Sequence, residues 1–81
     1  MTIQETIKTI DEPKGWLKIT PSDIRNLNDY CKKLESENKQ LILSGVVNQR
    51  ELLLKKQSSW LMRSTTLSVE AIVEFEQAFK Q

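Results

Sequence analysis

Thr20-Pro21-Ser22-Asp23-Ile24-Arg25-Asn26-Leu27-Asn28-Asp29-Tyr30-Cys31-Lys32-Lys33-Leu34 is the stretch that decides the fold of this chain. It opens with a helix start. Thr20 suits the N-cap, Pro21 suits the first helical position, where its missing N–H costs nothing, and Asp23 can reach back to the cap. Behind it, Ile24, Leu27, Cys31 and Leu34 recur three and four residues apart, and the same register continues through Asn38 and Leu41. That spacing places all six on one helix face, at the a and d positions of a heptad. The helix is expected to run from Pro21 to about Leu43, about 35 Å at 1.5 Å per residue. Its stripe is expected to pack inside the chain. The alternative is a coiled-coil seam between two copies, with Asn38 setting the register and Cys31 facing its counterpart. No histidine is present to activate Cys31 as a nucleophile.

Beyond Leu34, Ser44-Gly45 is the expected stop, because glycine enters the left-handed conformation without steric cost. Asn48-Gln49-Arg50-Glu51 then has the form of a capping box, flanked by Val47 and Leu52 as a hydrophobic staple, so a second helix is expected from Gln49 to about Arg63. Val46, Leu53 and Trp60 recur at sevens and give it a matching stripe. One rod continuing through Gly45 would cost about 1 kcal/mol for the mid-helix glycine. Asp29 with Lys33, Glu35 with Lys39 and Glu51 with Lys55 are i, i+4 pairs in the favourable acid-first order. After the polar break Ser64-Thr65-Thr66, Ser68 is the expected cap of a last helix from Val69 to Lys80, with Ile72, Phe75 and Phe79 as its apolar stripe.

On the other side of Thr20, Asp11-Glu12-Pro13-Lys14-Gly15 interrupts regular structure. Trp16, Leu17 and Ile19 form a short apolar anchor, and Ile3, Ile7 and Ile10 behind Thr2 fit a short helix. The expected fold is therefore all-α. Residues 20–81 form an antiparallel helical hairpin with a short third helix, a small three-helix bundle. Residues 1–19 form a flexible or irregular N-terminal segment, or at most a short helix.

Eighty-one residues make one domain, near the size at which a single core barely suffices. A net charge of +1 without blocks of like charge gives no strong attraction to polyanions or anionic membranes. No stretch approaches the roughly 20 apolar residues of a membrane span, and the first residues lack the apolar core of a signal peptide, so a cytoplasmic location is expected.

No glycine-rich phosphate loop, nucleophile elbow or Cys/His ligand set is present, so no enzyme activity, cofactor or metal is expected. Glu70, Glu74 and Glu76 cluster, but without a histidine or a ligand loop they do not make a metal site. The excess of apolar residues is more informative. Leu52-Leu53-Leu54 and Trp60-Leu61-Met62 make the second helix apolar around more of its circumference than one contact requires. Leu53, Leu54, Trp60, Leu61, Met62, Phe75 and Phe79 are accordingly expected to form an apolar groove for another protein or a second copy. The function expected is a helical adaptor, small chaperone or inhibitor. From Leu34 through Trp60 the pattern of Leu, Glu and Lys resembles the helical hairpins of small flagellar and type III export chaperones. The alternative is a dimeric nucleic-acid-binding regulator with Arg50, Lys56 and Arg63 touching phosphates, although the total charge is far below that of such domains. Lys56 is expected on a solvated face, where Lys56→Glu would leave stability nearly unchanged.

Overall fold

Thr20 caps its helix as the sequence predicts. In a computed structural model, which describes residues 1–63 and 68–80 and only the backbone of 61–63, the Asp23 N–H donates to the Thr20 hydroxyl at 3.2 Å. The Thr20 N–H donates in return to the Asp23 carboxylate at 3.1 Å, and Pro21 holds the first helical position. The described residues are all-α: α1 (Ile3–Asp11), a 3-10 turn (Gly15–Lys18), α2 (Pro21–Ser36), α3 (Gln40–Arg63) and α4 (Val69–Phe79). Ser68 caps α4 by accepting the Ala71 N–H at 3.2 Å. No described helix is long and apolar enough to cross a membrane.

The buried face of α2 is the expected one as far as Leu34. Ile24 and Leu27 are fully buried, and Cys31 and Leu34 nearly so. Asn38 and Leu41 do not belong to it. The helix stops at Ser36, and Asn38 takes the left-handed conformation with φ 63°. The Lys39 N–H reaches the Leu34 carbonyl at 3.0 Å and the Asn38 N–H the Glu35 carbonyl at 3.1 Å, the crossed bonds that close a helix around a left-handed residue. Residues 35–40 are all polar, so a longer helix would bury nothing more, and asparagine tolerates the conformation the stop requires. Asn38 is consequently exposed in the turn, and Leu41 is 92% exposed on the helix that follows. Lys39, no longer helical with Glu35, pairs with Glu37 at 3.2 Å.

Gly45 does not stop anything. α3 passes through it and through the expected capping box at residues 48–51 as one helix of 24 residues, and the staple of Val47 and Leu52 has no helix start to serve. Ser44 fits inside the helix by donating its hydroxyl to the Gln40 carbonyl at 3.0 Å. At about 1.5 Å per residue, α3 accounts for most of the 42 Å long axis of the molecule. A Cβ at Gly45 would meet nothing within 4 Å. Gly45→Ala is therefore expected to add about 0.5–1 kcal/mol by removing the entropy cost of a mid-helix glycine. A higher urea midpoint with an unchanged slope checks this.

The N-terminal segment is part of the core, and of the two expected forms it takes the short helix, α1, which joins the other three. Its cap is in place, with the Glu5 N–H donating to the Thr2 hydroxyl at 3.2 Å. Ile10 and Ile19 are buried with the α2 stripe, Val46 and Leu53 of α3, and Ala78 of α4. α2 packs on α3 and α4, while α1 lies against α2, α3 and the 3-10 turn. Gly15 permits that turn, since a Cβ there would collide with the Thr9 carbonyl oxygen. Two side chains of α3 tie α1 down: Gln49 donates to the Asp11 carboxylate at 3.0 Å, and the Lys56 ammonium donates to the Ile10 carbonyl at 2.8 Å.

One buried polar residue joins three helices. Asn28 of α2, 1% exposed, accepts from the Arg50 guanidinium of α3 at 3.2 Å and donates to the Ala78 carbonyl of α4. That carbonyl lies in the last turn of α4, where no intrahelical donor is available.

Candidate functional site

Successive helical residues point about 100° apart, so Leu53 and Leu54 cannot share an environment. Leu53 is in the core, fully buried, and presents no surface to a partner. Leu54 points outward, 42% exposed. On α4, Ala78 takes the core position, which leaves Ile72, Phe75 and Phe79 half-buried along the edge facing α3. Between these edges runs an open groove of about 700 Å³, lined by Leu54, Gln57 and Ser58 from α3 and by Ile72, Phe75, Glu76, Phe79 and Lys80 from α4 and its C-cap. A smaller cavity of about 240 Å³ adjoins it, lined by Trp16, Leu17, Gln57, Trp60 and Phe75. Gln57 and Phe75 belong to both. The Trp16 and Trp60 rings meet edge to face beside the smaller cavity, with centroids 5.9 Å apart and planes at 73°, an arrangement that aromatic quadrupoles favour.

Of the expected partner-binding residues, Leu54, Phe75 and Phe79 thus come together in the groove, and Trp60 lies in the adjoining cavity. The side chains of Leu61, Met62 and Arg63 lie outside the described residues. Gln57, a polar residue outside the apolar pattern, is also part of the lining and is 4% exposed. The signal for it was its register: it stands four residues after Leu53 and three before Trp60, a polar residue on the inward line of α3. Its Nε2 donates to the Trp16 carbonyl at 3.4 Å, while its Oε1 is buried and accepts from no described residue.

Two of the three expected phosphate contacts, Arg50 and Lys56, make hydrogen bonds within the fold. Arg50 is engaged by Asn28 and Lys56 by the Ile10 carbonyl, so Lys56 does not stand on a freely solvated face. Lys56→Glu is now expected to cost about 1–2 kcal/mol, because it removes a charge-assisted hydrogen bond and sets a carboxylate at the negative end of α1. A lower urea midpoint would register the change. Glu70, Glu74 and Glu76 are all exposed. No three His, Cys, Asp or Glu side chains among the described residues gather as metal ligands.

Cys31 faces the interior of its own chain. Burial pushes its thiol above the ordinary value of 9.0, against the opposing pull of the Arg50 charge and a backbone hydrogen bond. The folded protein therefore holds this proton more tightly than the unfolded chain. Its contribution to stability is complete below pH 9.0 and is lost as the pH rises past that point. A disulfide reagent at mildly alkaline pH is expected to modify the native thiol far more slowly than that of the urea-denatured chain. Comparison with protein-family models, with curated proteins and with solved structures gave no match.

Proposed function

We propose that the chain is a non-enzymatic helical interaction module that holds an apolar segment of a partner protein in the groove between α3 and α4. The observation that supports this is the gathering of Leu54, Phe75 and Phe79 around an open groove of about 700 Å³, a size and lining typical of binding clefts. Helix edges that leave such side chains half-covered are the usual receptors for amphipathic or apolar segments. In this proposal α2 and α3 run antiparallel as a hairpin and α4 is the short helix laid on them, with Asn28 fixing the groove wall. An adaptor, a small chaperone and an inhibitor all use this chemistry. Nucleic-acid binding draws no specific support from Arg50 and Lys56, each of which gives a hydrogen bond within the fold.

A photo-crosslinking residue placed at Leu54 and expressed in the native cell tests the proposal. It is expected to trap one predominant protein, which the same residue at Glu51, exposed on α3 outside the groove lining, does not trap. Equal trapping from both positions, or none from Leu54, would overturn the proposal.

A further inference from the structure

Ile10 and Ile19 are anchored in the core, the first fully buried and the second 2% exposed, but the chain between them is held far less firmly. Gly15 is buried there and Trp16 half-buried, whereas Glu12, Pro13, Lys14, Leu17 and Lys18 are exposed. The backbone hydrogen bonds of the 3-10 turn close within the segment. The Gly15 N–H donates to Glu12, the Leu17 N–H to Lys14 and the Ile19 N–H to Trp16, at 3.0, 3.1 and 3.3 Å, so none of them ties it to a neighbouring helix. Among the described residues, two contacts join the turn to α3. One is the meeting of the Trp16 and Trp60 rings, and the other is the long hydrogen bond, 3.4 Å, from Gln57 Nε2 to the Trp16 carbonyl. Just before the turn, Lys14 holds a φ of 58°, a conformation that favours glycine. Closure also seals Gln57 Oε1 from water without giving it a donor among the described residues, a penalty that solvent relieves on opening. Exposed side chains, local hydrogen bonds and a strained flank mark a segment that opens at far lower cost than global unfolding.

Resting on the interaction-module reading, we infer that Gly15–Lys18 is a strap that lifts off α3 while the four helices stay folded, and that lifting joins the 240 Å³ cavity to the groove. The two spaces already share Gln57 and Phe75 as walls. With the strap down, the groove ends at those two residues. With it raised, the apolar surface continues to the Trp60 ring. The strap thus sets how long a partner segment the groove accepts. A segment that fills both spaces captures the raised state, and its apparent affinity falls in proportion to the fraction of chains in which the strap is down.

Hydrogen exchange of two side-chain amides in the full chain tests the strap. Gln57 and Asn28 are both buried, 4% and 1% exposed, and each donates its amide to a backbone carbonyl. Their chemistry is the same, so their rates differ by the opening that frees them. The Gln57 NH2 is expected to exchange about a hundredfold faster than the Asn28 NH2, at a rate that low urea leaves unchanged, because lifting the strap exposes little surface. Equal rates with equal urea dependence would overturn the inference, since Gln57 would then be freed only as α4 or the whole fold opens. Gly15→Ala loosens the strap from outside either lining, because its Cβ would meet the Thr9 carbonyl oxygen. That variant is expected to speed Gln57 exchange about tenfold more, leave Asn28 exchange unchanged and raise the crosslinking yield from Leu54. An unchanged yield from a chain whose Gln57 exchange has risen would overturn the gating role. Should the variant fail to fold, the two amides of the unmodified chain still decide the matter. Absence of crosslinking from Leu54 in the unmodified chain counts against the module instead, because exchange reads the strap with no partner present.

Discussion

Leu34→Asp is expected to leave the chain without a cooperative melt at room temperature. Leu34 is 2% exposed and closes the C-terminal end of the α2 stripe, two residues before the helix ends at Ser36. Removing its side chain alone would cost about 2–5 kcal/mol through lost burial and the cavity left behind. An ionised carboxylate in the same place adds several kcal/mol of desolvation. A domain of this size has in total about 4–12 kcal/mol to lose, at roughly 0.05–0.15 kcal/mol per residue. Circular dichroism should show a large loss of helix and no thermal transition. A variant that melts like the parent would refute the buried face assigned to α2, and with it the packing of α3 and α4 on that face.

Asn28→Leu is expected to cost about 3 kcal/mol although the side chain keeps the number and branching of its heavy atoms. The loss combines the hydrogen bonds removed with the packing of two bulkier methyl groups. The Arg50 guanidinium is left part-buried without its acceptor, and the Ala78 carbonyl loses its donor; charged and neutral bonds of this kind contribute about 1.5–3 and about 1 kcal/mol respectively. Urea unfolding gives the total. Amide exchange should locate part of it in α4, whose last turn the Asn28 amide holds. Combining the change with Arg50→Met removes both partners of the charged bond, and the double variant is expected to lose less than the sum of the single ones. Strict additivity would mean that the Asn28–Arg50 contact carries no energy.

These two residues also mark what was legible in the sequence. The start of α2 and its buried stripe depend on Thr20, Asp23 and apolar spacing, all within a few residues of one another, whereas the equally local box at residues 48–51 starts no helix because α3 runs through it. The end of α2 was misplaced because a glycine and a polar asparagine competed for the same role. Gly45 has the stronger intrinsic preference for the left-handed state, but Asn38 stands in the polar run of residues 35–40, where extending the helix has nothing to bury. The N-terminal segment was undervalued for a different reason. Its anchors, Gln49 on Asp11 and Lys56 on Ile10, come from 38 and 46 residues away, and no local pattern announces them. The groove was half visible. Consecutive apolar residues on α3 required a second apolar neighbour, which pointed to Leu54, Phe75 and Phe79. They did not show that Leu53 is the residue turned inward, nor that Trp16, 41 positions before Gln57, would fold over that glutamine and bury it.

The edge-to-face pair of indoles makes the protein its own spectroscopic gauge. Trp16 and Trp60 are its two tryptophans, one in the 3-10 turn and the other near the end of α3, and their rings are close enough, at 5.9 Å, for their electronic transitions to couple. The near-ultraviolet dichroism and emission of the chain should thus report whether residues 1–19 are seated on α3. If that segment swung away while α2 to α4 stayed folded, the aromatic signal would collapse and the far-ultraviolet helix signal would largely persist.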